Sequence, residues 1–393
     1  MNLLRDVAWV VLSRYGAQGL GFLANILLAR LLGVDGFGEY ALASAVLLVG
    51  NAFTNFGMDM ILIRKLSVTD VPWLLTDGLG GQLFLSLIYI GLVFWVGEIF
   101  PVPFSVKTYT LALFPLSFFS IFTIAVRARS QMALYSIGQL LMGVLQFSAV
   151  LVLWANSGGI DFLIVSLLIA HVLAALWANG YVPIRLEFLS PTRFFALLRE
   201  CSSMALIGTL RLIYEKIPVT LLPVFSSYAT VGLFSAALRL TDAGKLGHFS
   251  AFTALYPEMT KDENFGKQRT GLRALSGMAF LISLFLFLFA DPILRFLFGA
   301  EFMSAVPALR ILAWVIPVYV LVTYMSLGLV SIGHERLVLN PLLVALAILI
   351  LLLAFLTKSY GIFGVAVAVL SAEIVHAVLL WLSWRKHVVS ELS

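Results

Sequence analysis

Long apolar stretches separated by short polar breaks run through the whole chain. A helix needs about 20 apolar residues to cross the roughly 30 Å hydrocarbon layer of a bilayer. Runs free of Asp, Glu, Lys and Arg, or nearly so, cover residues 40–58, 78–97, 108–126, 130–160, 162–184, 274–290, 311–333 and 337–357. Three further apolar spans, at about 7–31, 202–225 and 229–256, carry embedded charges, and a last one at about 361–384 holds one acid, Glu373. The pattern predicts an all-α integral membrane protein of about 12 transmembrane helices. Arg14 and Gln18 interrupt the first span, and no small-x-small cleavage site follows it. It is expected to be a retained helix rather than a signal peptide.

Composition narrows the class further. Of 393 residues, 61% are hydrophobic and only 11% charged, with a mean hydropathy of +1.04. Soluble domains carry about 25% charged residues. A soluble enzyme, a nucleic-acid binder and a disordered scaffold are all disfavoured. The single cysteine, Cys201, supports neither a disulfide framework nor a Cys-based zinc site. No HExxH, CxxC, P-loop or dinucleotide fingerprint appears. Neither a metal nor a cofactor is expected, and the protein reads as a non-enzyme without nucleic-acid partners.

The net charge of +5 is explained by where the basic residues fall. With both termini in the cytoplasm, fifteen of the 25 Lys and Arg lie inside, among them Arg64, Lys65, Arg127, Arg129, Arg193 and Arg199. Five (Arg30, Lys107, Arg295, Arg310 and Lys358) lie outside. This bias and the even helix number predict a multi-pass protein with both termini cytoplasmic. The inner loops at about 185–201 and 257–270 mix basic residues with Phe and Leu. They suit either the anionic inner leaflet or a solvated connector.

A weak internal repeat divides the chain. At an offset of 194, residues 28–66 lie against 222–260, with Phe37, Gly38 and Glu39 opposite Val231, Gly232 and Leu233, and Ala43 opposite Ala237. The expected organisation is an N-terminal six-helix bundle over 1–184, a cytoplasmic linker over 185–201 and a C-terminal six-helix bundle over 202–393. Each half has an even helix count, so a pseudo-two-fold axis along the membrane normal would relate them. Two such bundles leave a central cleft suited to alternating access.

Four stretches carry a family resemblance: Leu28–Ala43, Val231–Leu240, Phe298–Ala313 and Tyr360–Ala368. In order and spacing they resemble the bacterial polysaccharide flippases of the multidrug/oligosaccharidyl-lipid/polysaccharide exporter superfamily. The resemblance implies a flippase of the bacterial inner membrane. Its substrate would be an undecaprenyl-diphosphate-linked oligosaccharide for O-antigen (lipopolysaccharide), enterobacterial common antigen or capsule assembly. Transport would run from the cytoplasmic to the periplasmic leaflet and be ion-coupled, without a prosthetic group. The partners implied are that lipid-linked glycan, membrane lipid, and a glycan polymerase with its chain-length regulator.

Ionisable groups inside the bilayer are costly and normally face protein or water. Arg211, Glu215 and Lys216 fall near the middle of the seventh span, and Arg239, Asp242 and Lys245 around the middle of the eighth. These spans hold four cations against two acids, and Arg14 adds a fifth cation. A net-cationic vestibule would suit a diphosphate, because the guanidinium fork grips phosphate oxygens bidentately and stays charged. Gln18, Asn51, Asn55 and Tyr214, with Tyr15 and Tyr324, could line the sugar portion. The alternative is internal pairing, Arg211 with Glu215 and Arg239 with Asp242 and Lys245. Asp59, near Arg64 and Lys65, reads as an interfacial ion-pair partner. Glu215, Asp242, Glu373 and His376 are candidates for ion coupling, since burial and neighbouring cations pull a carboxyl's affinity for protons in opposite directions. His171 reads more readily as a packing histidine. Pro218 should kink the seventh span, either as a static bend or as a gating element.

Two other functions remain open: a drug or cation antiporter of the same superfamily, and an integral-membrane glycan polymerase. The first wants acidic walls for a cationic drug, and the second a sizeable outer loop.

Overall fold

The computed structural model describes residues 3–68, 71–100, 102–182, 190–259, 265–331, 334 and 336–387; side chains at 3–8, 14, 72, 203–207, 249–259, 265–270, 331 and 387 are not described. Among the described residues there is no strand. The α-helices run in order as α1 (Leu3–Asn55), α2 (Met58–Leu66), α3 (Pro72–Ile99), α4 (Phe104–Tyr109), α5 (Leu113–Ala128), α6 (Met132–Asn156) and α7 (Ile160–Tyr181). They continue as α8 (Pro191–Phe225), α9 (Tyr228–Met259), α10 (Phe265–Leu288), α11 (Ala290–Leu297), α12 (Val306–Ala313), α13 (Val315–Ser331) and α14 (Arg336–His387).

Two of these are too long for one crossing. α1 has 53 residues and α14 has 52. At 1.5 Å per residue each would run about 80 Å if straight, more than twice the hydrocarbon thickness. Each is broken by a glycine, Gly33 (φ 67°, ψ −173°) and Gly361 (φ 53°, ψ −135°). A Cβ disfavours both conformations. α1 and α14 are therefore two passes each, turned at a glycine. With α3, α4–α5, α6, α7, α8, α9, α10 and α12–α13, the described residues hold twelve passes. Gly299 also has positive φ (103°), where the chain enters the 3-10 segment Ala300–Ala305. All three glycines lie in stretches that carried the family resemblance. The repeat offset of 194 carries Gly33 onto Ser227, and the chain turns at both.

Two boundaries differ from expectation. The span expected over 40–58 stops at Asn55, because Phe56 (φ 44°) and Gly57 (φ 69°) both turn left-handed before α2 begins. Of the expected linker, 185–189 lies outside the described residues, and Pro191–Cys201 is helical and continuous with the seventh span. Phe194, Leu197 and Cys201 recur at helical spacing and bury one face of these turns, which extends the helix toward its N-terminus. α8 runs on through Pro218 and Pro223.

The chain divides into two compact units, Met1–Lys216 and Ile217–Ser393, with the division inside α8. In the first, α1 packs on α6, α4 and α3, α6 on α7, and α5 on α7, α2 and α3. Its core includes Met58, Leu62, Leu79, Ile121, Phe122, Ala174 and Cys201. Gly138 lets α6 come close to Phe122, whose Cε1 would lie 2.8 Å from an added Cβ. In the second unit α13 packs on α14 and α9, and α10 on α12 and α13. Leu275, Ala279, Ala313, Ile316 and Val320 form one core there, and Val322, Met325, Leu329, Val338 and Leu380 another. Large side chains left exposed on the helices, such as Leu87, Trp95, Leu176 and Phe355, suit contact with acyl chains.

Replacing Gly33 or Gly361 by Ala should cost about 1–3 kcal/mol each, read as a lower thermal midpoint in detergent. Gly19→Ala, at a helical position with nothing within 4 Å, should leave the midpoint unchanged or slightly raised. Midpoints at the parent value for both strained positions would show that the two turns do not depend on glycine.

Candidate functional site

The embedded charges of the first unit sit on the middle of α8. Arg211 Nε lies 3.6 Å from Glu215 Oε1, one helical turn away, with side chains 45% and 46% exposed. So open a pair adds little stability. Tyr214 is buried between them in sequence, and Lys216 is half-buried. Gln18 and Asn51 are half-buried on α1, and the Arg14 side chain lies outside the described residues. Asn55, at the end of α1, belongs to a polar seam among apolar helices. Buried Gln82 on α3 donates through Nε2 to Ser120 Oγ on α5 (3.1 Å) and, at the 3.5 Å limit, to Asn55 Oδ1. Ser86 and Ser117 continue the seam, each donating to the carbonyl four residues back. Gln82 was not among the expected polar residues. A lone glutamine within an apolar run was the available signal.

In the second unit, the expected three-way neutralisation on α9 is only partly made. Asp242 Oδ1 accepts from Lys245 Nζ at 3.2 Å, and the ammonium also lies 5.5 Å from the centre of the Tyr319 ring on α13. Arg239 does not join them. It is half-buried and has no hydrogen bond or ion pair among the described residues. A guanidinium in that position carries positive charge that the lysine–aspartate pair does not offset. Glu373 and His376, three residues apart on α14, are both buried, and α14 packs on α9, α12 and α13. These two groups have the burial that coupling would require. Glu215 and Asp242 are the partly exposed members of ion pairs.

His171 is held on both ring nitrogens. Nδ1–H donates to the Leu167 carbonyl at 2.6 Å, which leaves Nε2 to accept from Gln146 Nε2 at 3.3 Å, and the ring meets Tyr109 edge-on. A neutral imidazole satisfies this arrangement, the packing role expected from sequence. His248, not singled out from sequence, is buried on α9 with Nε2 3.2 Å from the Leu275 carbonyl of α10.

Further ion pairs of the first unit join α2, α3, α5 and α8. Asp59 pairs with Arg127 of α5 at 3.5 Å, and its sequence neighbours Arg64 and Lys65 pair with Glu200 of α8. Buried Asp77 on α3 accepts from the backbone N–H of Ser190 (3.0 Å) and from Arg193 Nε (2.7 Å). Its carboxylate thereby caps the start of α8 from another helix. The partners are 113 and 116 residues away, so spacing along the chain could not reveal them. Among the described residues no group of three or more His, Cys, Asp or Glu side chains could hold a metal ion.

The fold is that of transporters in the MOP superfamily. A multidrug resistance MATE family transporter in an inward-facing conformation superposes with a TM-score of 0.75 at 16% identity, covering 98% of each chain. The lipid II flippase MurJ, in an inward closed conformation, gives 0.78 at 14% identity over 96% of this chain and 87% of its own. A MOP superfamily transporter from Pyrococcus furiosus, described by the reverse polarity of its binding pocket, gives 0.67 at 16% over 99% and 95%. Residues 3–262 match the polysaccharide biosynthesis protein family, and the chain belongs to it. A search of curated proteins gave no match.

Cys201 offers a check on the packing of α8. Burial first, then the nearby Glu200 carboxylate, pushes its thiol up to about 11. The thiolate is the reactive form. A maleimide should therefore label the native protein slowly at pH 7, speed up about tenfold per pH unit toward pH 10, and label fully after denaturation. Fast labelling of native protein at pH 7 would contradict the buried seat of these turns.

Proposed function

We propose that the protein is a flippase for undecaprenyl-diphosphate-linked oligosaccharides. It moves them from the cytoplasmic to the periplasmic leaflet of the bacterial inner membrane by alternating access. Membership of the polysaccharide biosynthesis family supports the glycan, and the fold supports a transporter. The observation that carries the anionic headgroup is Arg239, a half-buried intramembrane guanidinium without an acidic partner among the described residues. A diphosphate supplies roughly two negative charges, and a guanidinium can take two of its oxygens at once.

In this mechanism Arg239 receives the diphosphate, with Lys245, Arg211, Lys216 and Arg14 adding positive potential. Gln18, Asn51, Asn55 and Tyr214 offer hydrogen bonds to sugar hydroxyls, and the prenyl tail stays in lipid. Glu373 and His376 couple the cycle to an ion, with Glu215 and Asp242 the secondary candidates. Both termini face the cytoplasm, and a glycan polymerase with its chain-length regulator takes the delivered repeat unit. The competing antiporter reading needs an acidic site for a cationic drug, which an arginine without an acidic partner among the described residues does not favour.

A charge-assisted hydrogen bond is worth about 1.5–3 kcal/mol. Arg239→Gln should therefore slow translocation of a fluorescent lipid-linked oligosaccharide in proteoliposomes about tenfold to a hundredfold, with normal membrane insertion. Wild-type flipping by this variant would overturn the cationic site. Efflux of a cationic drug that survives the change would favour the antiporter. Glu373→Gln should remove the response of flipping to an imposed proton or sodium gradient, and an unaltered response would remove Glu373 from coupling.

A further inference from the structure

The first turns of α8 present a second cationic surface, distinct from the mid-membrane charges. Their inner face is fixed: Phe194, Leu197 and Cys201 are buried in the first unit, and Asp77 ties down Ser190 and Arg193. What faces outward is thereby fixed as well. The Arg193 guanidinium is held 4.8 Å from the centre of the Trp73 ring at the start of α3. Phe195 is 52% exposed and meets the exposed Phe84 of α3 edge-on at 5.6 Å. Arg199 is exposed and has no acidic partner among the described residues. The Arg64 side chain, on α2, is 70% exposed and lies 3.9 Å from Glu200. The nearby acid, Glu200, is taken up by Lys65 and Arg64.

We propose that this patch of arginines and exposed aromatic rings is a docking surface for the headgroups of anionic phospholipid. The inner leaflet as the lipid's location rests on the topology proposed above. Three features favour lipid over a soluble partner. The guanidinium groups match phosphate in charge and geometry. The rings beside them belong to the type enriched where hydrocarbon meets headgroup. The patch also continues along α3 into the exposed apolar residues Leu87 and Ile88, which suit acyl chains. An amphipathic helix with basic and aromatic residues on its outer face binds an anionic interface in this way. Asp77 acts as a positioning residue, since it holds Arg193 on Trp73 and sets the register of the outer face.

The test uses the full-length protein in nanodiscs of phosphatidylcholine with and without phosphatidylglycerol. Native mass spectrometry counts retained lipids, and thermal unfolding reads their effect. Wild type should retain phosphatidylglycerol severalfold over phosphatidylcholine and unfold at a higher temperature when it is present. Arg199→Gln combined with Phe195→Ser, both at exposed positions, should lose that preference while staying folded. Asp77→Asn should weaken it in proportion to loss of the Arg193 seat. Equal retention of both lipids by wild type, or full phosphatidylglycerol preference in the double variant, would overturn the proposal. Displacement of the lipid by a soluble acidic peptide would also overturn it, assigning the surface to a protein. Lipid retention is independent of flipping, so a chain that binds phosphatidylglycerol but moves no glycan would count against the flippase reading alone.

Discussion

A lipid interior offers no water to a peptide group, so every backbone N–H and C=O that crosses it must find a partner in the chain. The rest of the structure follows from that constraint. Helices satisfy it locally, and the long apolar stretches among the described residues are helical. At Gly33 and Gly361 the chain turns within a long helical run at a glycine, because the backbone angles there are ones that a Cβ disfavours. Each cuts a continuous helical run, α1 or α14, into two separate passes.

The same medium makes charge expensive, and the chain handles it in three ways. Pairs one turn apart on a single helix, Arg211–Glu215 and Asp242–Lys245, reduce local charge at little conformational cost. Pairs between helices, Asp59–Arg127, Lys65–Glu200 and Asp77–Arg193, join α2, α3, α5 and α8. Arg239 belongs to neither group.

Pairing in the first unit also explains how α8 starts. Its opening turns would be a marginal surface helix in isolation. A capping carboxylate from α3, an ion pair to α2 and a buried Phe–Leu–Cys face hold them in place. An element whose composition suits a loop is thus recruited into a long helix that passes from one compact unit into the other.

The sequence by itself determined the membrane class, the helical passes and the family, because each rests on hydropathy, local spacing or short motifs. Only the tertiary structure decided which charges are neutralised. Arg239 and Lys245 are equally eligible partners for Asp242 by spacing, yet Asp242 bonds Lys245. Asp59 has basic neighbours in sequence but pairs across to Arg127. Asp77 and Gln82 gain their roles from residues on other helices. An ion pair depends on the distance between side-chain tips to within an ångström or two, and that distance is set by how helices pack.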